Sequence, residues 1–190
     1  MPMGSGADPH LGMPPAGAAP SGDAPTGDLA TRPVVGGLAW DIQAPLVARR
    51  PSSQMRAAEY GVTGQDPDAQ LAVFYFGEGG GGGVQANVDR WVAQFSQPDG
   101  SASTAAAHIT TRTVAGMRVT LIDLIGTFGG GMPGSPAAAA AKPDYRLLGA
   151  IAEGARGALF FKLTGPQAAV TAAEPAFQHL VGSLEVVQGS

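Results

Sequence analysis

The stretch FYFGEGGGGGVQANVDRWVAQF, residues 74–95, decides the fold of this chain. Its apolar beginning belongs to a run rich in β-branched and aromatic residues, Leu71 to Phe76, which predicts a strand. Beyond five consecutive glycines, large apolar residues recur at helical spacing, which predicts an amphipathic helix with a single apolar stripe. That stripe consists of Val84, Val88, Trp91, Val92 and Phe95. A strand that passes directly into such a helix indicates a domain in which helices pack on a sheet.

The glycines between the strand and the helix allow two interpretations. A glycine-rich turn at a helix N-terminus is able to close its backbone amides around a phosphate, and Arg90 or Arg56 would then act as a charge clamp. The alternative is a plain flexible connector, because no Lys-Ser/Thr pair follows and a GxGxxG match is nearly automatic in a glycine run. The residues of the candidate anion cradle are Gly79, Gly80, Gly81, Gly82 and Gly83.

Composition divides the chain into a leader and one folded domain. Residues 1–37 alternate Pro, Gly, Ala and Asp with few large aliphatic side chains. They cannot bury enough apolar surface to offset their ordering entropy, so we expect a disordered leader. Residues 38–188 are long enough for a single domain with its own core. A low-complexity insert at residues 129–144 is expected to be a connector within that domain.

The remaining elements follow from residue type and turn signals. A closing helix is expected to begin with a capping box of Thr164 and Gln167, and Pro175 is expected to kink or divide it. Further strands are expected at residues 55–60, 111–128 with a turn at Gly116, 145–152 and 158–163. The predicted fold class is therefore α+β, with an antiparallel β-sheet flanked by two amphipathic helices.

Charge and hydropathy argue against several function classes. The net charge is −4 and the basic residues are scattered, whereas nucleic-acid binding requires a dense basic face. No apolar run reaches the roughly 18 residues that a membrane span needs. Met1 is followed by neither the basic nor the apolar segment of a secretory signal, so none is expected in the chain as written. The lack of cysteine excludes disulfides and thiolate metal sites.

Five segments carry a resemblance to a known family. They are SSQMRAAEY, AVFYFGEGGGGGVQANVDRW, VAGMRVTLIDLIGTF, YRLLGAI and FFKLTGP. Together they are similar to a family of bacterial envelope proteins of unknown function, many of them lipoproteins, and more remotely the layout resembles the PsbP-like fold. The resemblance covers most of residues 40–186 and implies an α/β sandwich that acts by binding or assembly. It also implies a periplasmic or cell-envelope location, with the cytoplasm as the alternative if no upstream signal exists. The lipobox cysteine that would carry a lipid anchor is missing from this chain.

Candidate metal ligands are few. The three histidines have no carboxylate at ligand spacing, so no zinc site is predicted. Soft donors that copper accepts occur in the leader, although disordered spacers contain such residues by chance. These weak copper candidates are Met1, Met3, His10 and Met13. No cofactor is predicted.

Asp123 is the most unusual carboxylate in the sequence. Strand alternation places it on one face with apolar residues, where an unpaired charge is costly. We therefore expect a structural ion pair, and a ligand-binding site is the alternative. Arg118 and Arg146 are the main candidate partners, and Arg56 and Lys162 are further ones.

Two function hypotheses remain. The first is a non-enzymatic, envelope-associated binding or scaffold domain of unknown ligand, with the sheet or the glycine loop as its recognition surface. The alternative is an anion-binding hydrolase or transferase that uses the Gly79–Gly83 loop as its phosphate cradle.

Overall fold

The structure, a computed structural model, describes residues 24–129 and 141–187. Within these residues the chain forms twelve strands and three helices. The strands are β1 (Thr26–Asp28), β2 (Arg32–Val35), β3 (Leu38–Ala39), β4 (Leu46–Arg49), β5 (Arg56–Val62), β6 (Gln70–Tyr75), β7 (Phe95–Ser96), β8 (His108–Val114), β9 (Met117–Phe128), β10 (Lys142–Gly154), β11 (Gly157–Pro166) and β12 (Glu185–Val186). The helices are α1 (Val84–Val92), α2 (Ser103–Ala106) and α3 (Gln167–Gly182).

The main sheet is antiparallel throughout. Its strand order is β4-β5-β6-β11-β10-β9-β7, and β8 pairs with β9 beside this path. The centre is built by the long hairpin of β10 and β11, in which Leu147 lies opposite Thr164. On the other side of β10, Leu147 lies opposite Leu124 of β9. The predicted antiparallel sheet with packed helices is therefore confirmed.

Strand alternation gives this sheet two apolar faces. On one face, which we call the α3 face, Leu148, Ala150 and Leu163 pack with Val170 and Phe177 of α3. On the opposite α1 face, the neighbouring positions of the same strands pack with Val88, Trp91 and Val92 of α1. Those strand residues include Ile122, Leu124, Leu147, Ile151 and Phe160. The two helices therefore lie on opposite sides of the sheet. The structure also has a third helix that was not predicted, the one-turn helix α2.

A small second sheet includes part of the predicted leader. Its strand order is β1-β2-β3-β12, so the beginning and the end of the described chain are paired. Val35 of β2 is buried in the core, and Arg32 forms ion pairs with Asp41 and Glu185. Regular structure therefore begins well before residue 38, because Pro33 and Val35 are buried once β2 pairs with β1 and β3. Residues 1–23 of the leader lie outside the described residues.

The closing helix differs from the prediction in two respects. Its N-cap is Pro166 and makes no side-chain hydrogen bond, so the expected capping box does not form and Thr164 remains within β11. Of the two effects expected at Pro175, a kink or a division, the division does not occur, because the helix continues through this residue as a single element. Of the predicted insert, residues 130–140 lie outside the described residues, while Lys142 already begins β10.

No helix in the described part of the chain is both long enough and apolar enough to cross a membrane.

Candidate functional site

The α1 face is only partly covered, and a cavity of about 330 Å³ lies on its open part. We call it the sheet cavity. Register explains its walls, since Lys162 lies opposite Ala72 and Thr164 opposite Gln70 on neighbouring strands. Alternation directs these residues away from Leu163, which belongs to the core of the α3 face. The cavity is therefore floored by β6 and β11 and bordered by β5, β10 and the segment after α1.

Lys162 is the most unusual group in this cavity. Its ammonium group donates a hydrogen bond to Oε1 of Gln94 and lies 6.0 Å from the ring centre of Trp91 and 5.8 Å from that of Phe128. Among the described residues no carboxylate pairs with it. Burial, with a smaller contribution from the positive charge of Arg56, lowers the pKa of Lys162 to about 8. A cation has thus been placed where the protein supplies no counter-ion.

Thr164 adds an unmatched polar atom to the same wall. Its Oγ1 is buried, and it has no hydrogen-bond partner among the described residues. A buried hydroxyl without a partner costs roughly 1–3 kcal/mol. A ligand atom in the sheet cavity would supply the missing partner.

The two other cations of the cavity are paired. Nη1 of Arg56 lies 2.9 Å from a carboxylate oxygen of Glu59, and Lys142 forms an ion pair with Asp68. Tyr145 donates a further hydrogen bond of 2.9 Å to Asp68. The hydrogen bonds from Lys142 and Tyr145 lower the pKa of the Asp68 carboxyl. Among the three cations of the described wall, Lys162 can therefore bind an anion without breaking an ion pair within the protein.

A second cavity, of about 200 Å³, adjoins the first. We call it the aromatic cavity because ring side chains dominate its lining. Phe74, Gln94 and Lys162 line both cavities. The remaining walls are Met55, Phe76, Asn87, Arg90, Trp91 and Phe160.

The glycine loop contacts residues of the aromatic cavity but does not line either cavity itself. None of the residues 79–83 lines either of them. A Cβ atom at Gly81 would approach ring carbons of Phe160 and Phe76 to 2.7 and 2.8 Å. Asn87 donates hydrogen bonds to the carbonyl oxygens of Gly81 and Gly83, at 2.8 and 3.0 Å. The loop is therefore closely packed at Gly81, where glycine is needed both for space and for positive φ.

The two arginines proposed as charge clamps are separated. Arg56 lines the sheet cavity, whereas Arg90 lines the aromatic cavity and donates a hydrogen bond of 3.0 Å to Asn87. In neither of these two cavities do Arg56 or Arg90 meet residues 79–83. Arg90 is thus joined to the glycine loop through Asn87, whereas Arg56 lies in the sheet cavity.

Asp123 lies on the α3 face and pairs with Arg146. Two parallel hydrogen bonds of 2.9 and 2.8 Å join the guanidinium to the carboxylate, and Arg146 also reaches Glu174 and Thr171 on α3. The hydrogen bonds to Asp123, ahead of those to Glu174, raise the pKa of Arg146 despite its burial. This cluster fastens α3 to the sheet.

The other candidate partners of Asp123 lie elsewhere. Arg118 pairs instead with Glu153, at 3.7 Å and at an exposed position. Arg56 and Lys162 line the sheet cavity on the opposite face.

The described residues contain no group of three or more His, Cys, Asp or Glu side chains that could hold a metal ion. The weak copper candidates Met1, Met3, His10 and Met13 all fall outside the described residues.

The roles predicted for Lys162 and Thr164 differ from those that the structure indicates. Thr164 was expected to cap a helix, and Lys162 was considered only as one of four possible partners of Asp123. The signal that was available is strand alternation: in LFFKLTGP, residues 159–166, the positions facing away from Leu159, Phe161 and Leu163 include Lys162 and Thr164. Polar residues in the middle of a central strand mark the face that is not fully covered by a helix.

Comparison with known proteins gives a likeness of fold only. No family model matches the chain, and no curated protein matches it. Among solved structures, the chain is similar to the solution structure of cyanobacterial PsbP (CyanoP) from Synechocystis sp. PCC 6803, with a TM-score of 0.50 and 12% sequence identity. The match covers 93% of this chain and 98% of that one. The chain therefore has a remotely PsbP-like fold.

Proposed function

We propose that this chain is a non-enzymatic binding domain that holds a small anion in the sheet cavity. The observation that carries the proposal is the Lys162 ammonium group, which is partly buried and largely desolvated in the wall of a cavity and has no carboxylate partner among the described residues. Burying an unpaired charge is costly, so a fold that retains one gains when an anion arrives.

Three further features support an anion as the ligand. The cavity volume of about 330 Å³ falls within the range of small-molecule pockets. The buried Oγ1 of Thr164 has a free hydrogen to donate. The lining contains Arg56, Lys142 and Lys162 against the single carboxylate of Asp68, although the whole chain carries a net charge of −4. The cavity is therefore locally positive on an acidic protein, which favours entry of anions.

The proposal includes a location in the bacterial cell envelope. It is supported by the resemblance of five segments to envelope proteins, and it concerns the setting of the domain rather than the chemistry of the cavity.

Calorimetric titration with inorganic phosphate and with acetate tests the proposal. Either anion should bind the wild type, and an anion at 100 times its dissociation constant should raise the free energy of unfolding by about 2.7 kcal/mol. Lys162→Met should weaken binding at least tenfold, because it removes the unpaired cation. Arg118→Met, which removes an exposed cation that lines neither cavity, should leave the affinity unchanged.

Thr164→Val provides a second, independent test. Valine keeps the branched shape and removes the unmatched hydroxyl, so the variant should be as stable as the wild type or more so and should nevertheless bind the anion several-fold more weakly. If neither anion binds the wild type, or if Lys162→Met binds equally well, the proposed site is wrong.

A further inference from the structure

The aromatic cavity adjoins the sheet cavity, and the shared wall contains the key cation. Lys162 and Gln94 line both spaces, and Phe74 forms part of each floor. A ligand whose charged end lies at Lys162 can therefore extend past Gln94 into the aromatic cavity.

The chemistry of the aromatic cavity differs from that of its neighbour. Phe74 and Phe76 are stacked, with ring centres 6.3 Å apart and planes inclined by 10°, and Phe76 also contacts Phe160 at 6.0 Å. Met55 lies at the mouth and is 56% exposed. Methionine is flexible and polarizable, and it makes favourable contacts with aromatic rings.

The volume of the aromatic cavity suits a single ring. It measures about 200 Å³, and an apolar cavity of about 150 Å³ is enough to hold benzene.

We infer that the ligand is an amphipathic anion with one aromatic ring, whose carboxylate or phosphate group binds Lys162 and Thr164 and whose ring enters the aromatic cavity below Met55. This inference rests on the proposed function, because it uses the same anion site and adds the identity of the attached group. Specificity comes from the ring, and orientation comes from the charge.

Calorimetric titration with matched probes separates the two contributions. Phenylacetate should bind about ten- to hundredfold more tightly than acetate, because burial of a ring of this size is worth that factor. Phenyl phosphate compared with inorganic phosphate should give a similar ratio, and the stronger of the two pairs identifies the head group. Benzyl alcohol, which has the ring without the charge, should bind much more weakly than phenylacetate.

Variants assign the ring to its cavity. Met55→Ala should reduce the affinity for phenylacetate several-fold and leave the affinity for acetate unchanged. Val47→Ala, a matched removal of an exposed apolar side chain on β4, should change neither affinity.

Methyl NMR gives a readout that does not depend on affinity. With ¹³C-methyl methionine in the full chain, phenylacetate should shift the Met55 signal by ring-current effects. The signal of Met117, which is buried in the core of the α3 face, should stay in place.

The outcomes of these experiments distinguish the two proposals. If acetate binds and phenylacetate binds no more tightly, the aromatic ligand is wrong and the anion site stands. If benzyl alcohol binds as tightly as phenylacetate, the role of the charge is wrong. If no anion binds, both proposals fall together.

Discussion

Replacing Lys162 by methionine should stabilise the free protein at neutral pH. Burial lowers the pKa of Lys162 from 10.5 to about 8, and each pKa unit corresponds to about 1.4 kcal/mol. The charge of Lys162 therefore costs the folded state about 3 kcal/mol at pH 7. Methionine removes this cost and also the hydrogen bond to Gln94, worth about 1 kcal/mol. We expect a net gain of about 2 kcal/mol in the free energy of unfolding.

The gain should depend on pH in a defined window. Between pH 8 and about 10.5 the unfolded chain keeps a proton on Lys162 that the folded protein has lost. The unfolded state then binds more protons, so wild-type stability rises with pH across this window. The advantage of Lys162→Met should shrink over the same range. Burial raises the pKa of Tyr60 to about 12, which lowers stability above pH 10 in both proteins and cancels in their difference.

Urea unfolding at several pH values between 6.5 and 10 measures this difference. The charged and titratable groups around Lys162 are the same in both proteins: Arg56, Glu59, Asp68, Arg90, Lys142 and Tyr145. Lys142→Met is the matched control, because Lys142 is exposed and paired with Asp68; its loss should cost no more than about 0.5 kcal/mol. The reasoning is refuted if Lys162→Met is less stable than the wild type by an amount that does not vary with pH.

Two further pairs of substitutions test the framework around the site. Arg146→Met should lower the free energy of unfolding in urea by about 2 kcal/mol, because it leaves Asp123 and Glu174 unpaired. Arg118→Met should lower it by less than about 0.5 kcal/mol. Equal losses would contradict the role of Arg146 in fastening α3 to the sheet. Gly81→Ala should lower the free energy of unfolding by about 3 kcal/mol, because its φ is positive and the new Cβ would press on two rings. Gly79→Ala should lower it by about 1 kcal/mol, because φ is again positive but the Cβ would lie in open space. Neither alanine variant should alter the affinity for the anion. A weaker affinity in either variant would indicate that the glycine loop binds the anion.

The local elements could be predicted from the sequence because their signals are local. The stripe of Val88, Trp91 and Val92 specifies α1, and runs of aliphatic, aromatic and β-branched residues specify β6, β9, β10 and β11. The small sheet could not be predicted in this way. Its strands have two to four residues, and Glu185 pairs with Ala39 from the other end of the described chain. Pairing over such a distance leaves no periodic trace in either segment.

The candidate site was missed for a related physical reason. The pattern S/T-x-x-E/Q at Thr164 is a valid capping signal, but the hydrogen-bonded pairing of β11 with β6 and β10 extends through Thr164 and outweighs one capping bond. Asp123 and Lys162 both lie on central strands, and sequence alone could not tell which face each one occupies. Only the register separates the ion pair of the α3 face from the cation of the α1 face.

The position of the site follows from the lengths of the two helices. The 16 residues of α3 span about 24 Å, whereas the nine residues of α1 span about 14 Å. The strands beneath them are longer, since the 13 residues of β10 extend over about 40 Å. The shorter helix closes its face only over β9, β10 and part of β11. The part of β6 and β11 beyond the end of α1 needs no apolar cover, which is why it can carry Gln70, Lys162 and Thr164. The helix that leaves this surface open also contributes Trp91, and Gln94 follows just beyond its end, so the incomplete cover and the walls of both cavities have a single structural origin.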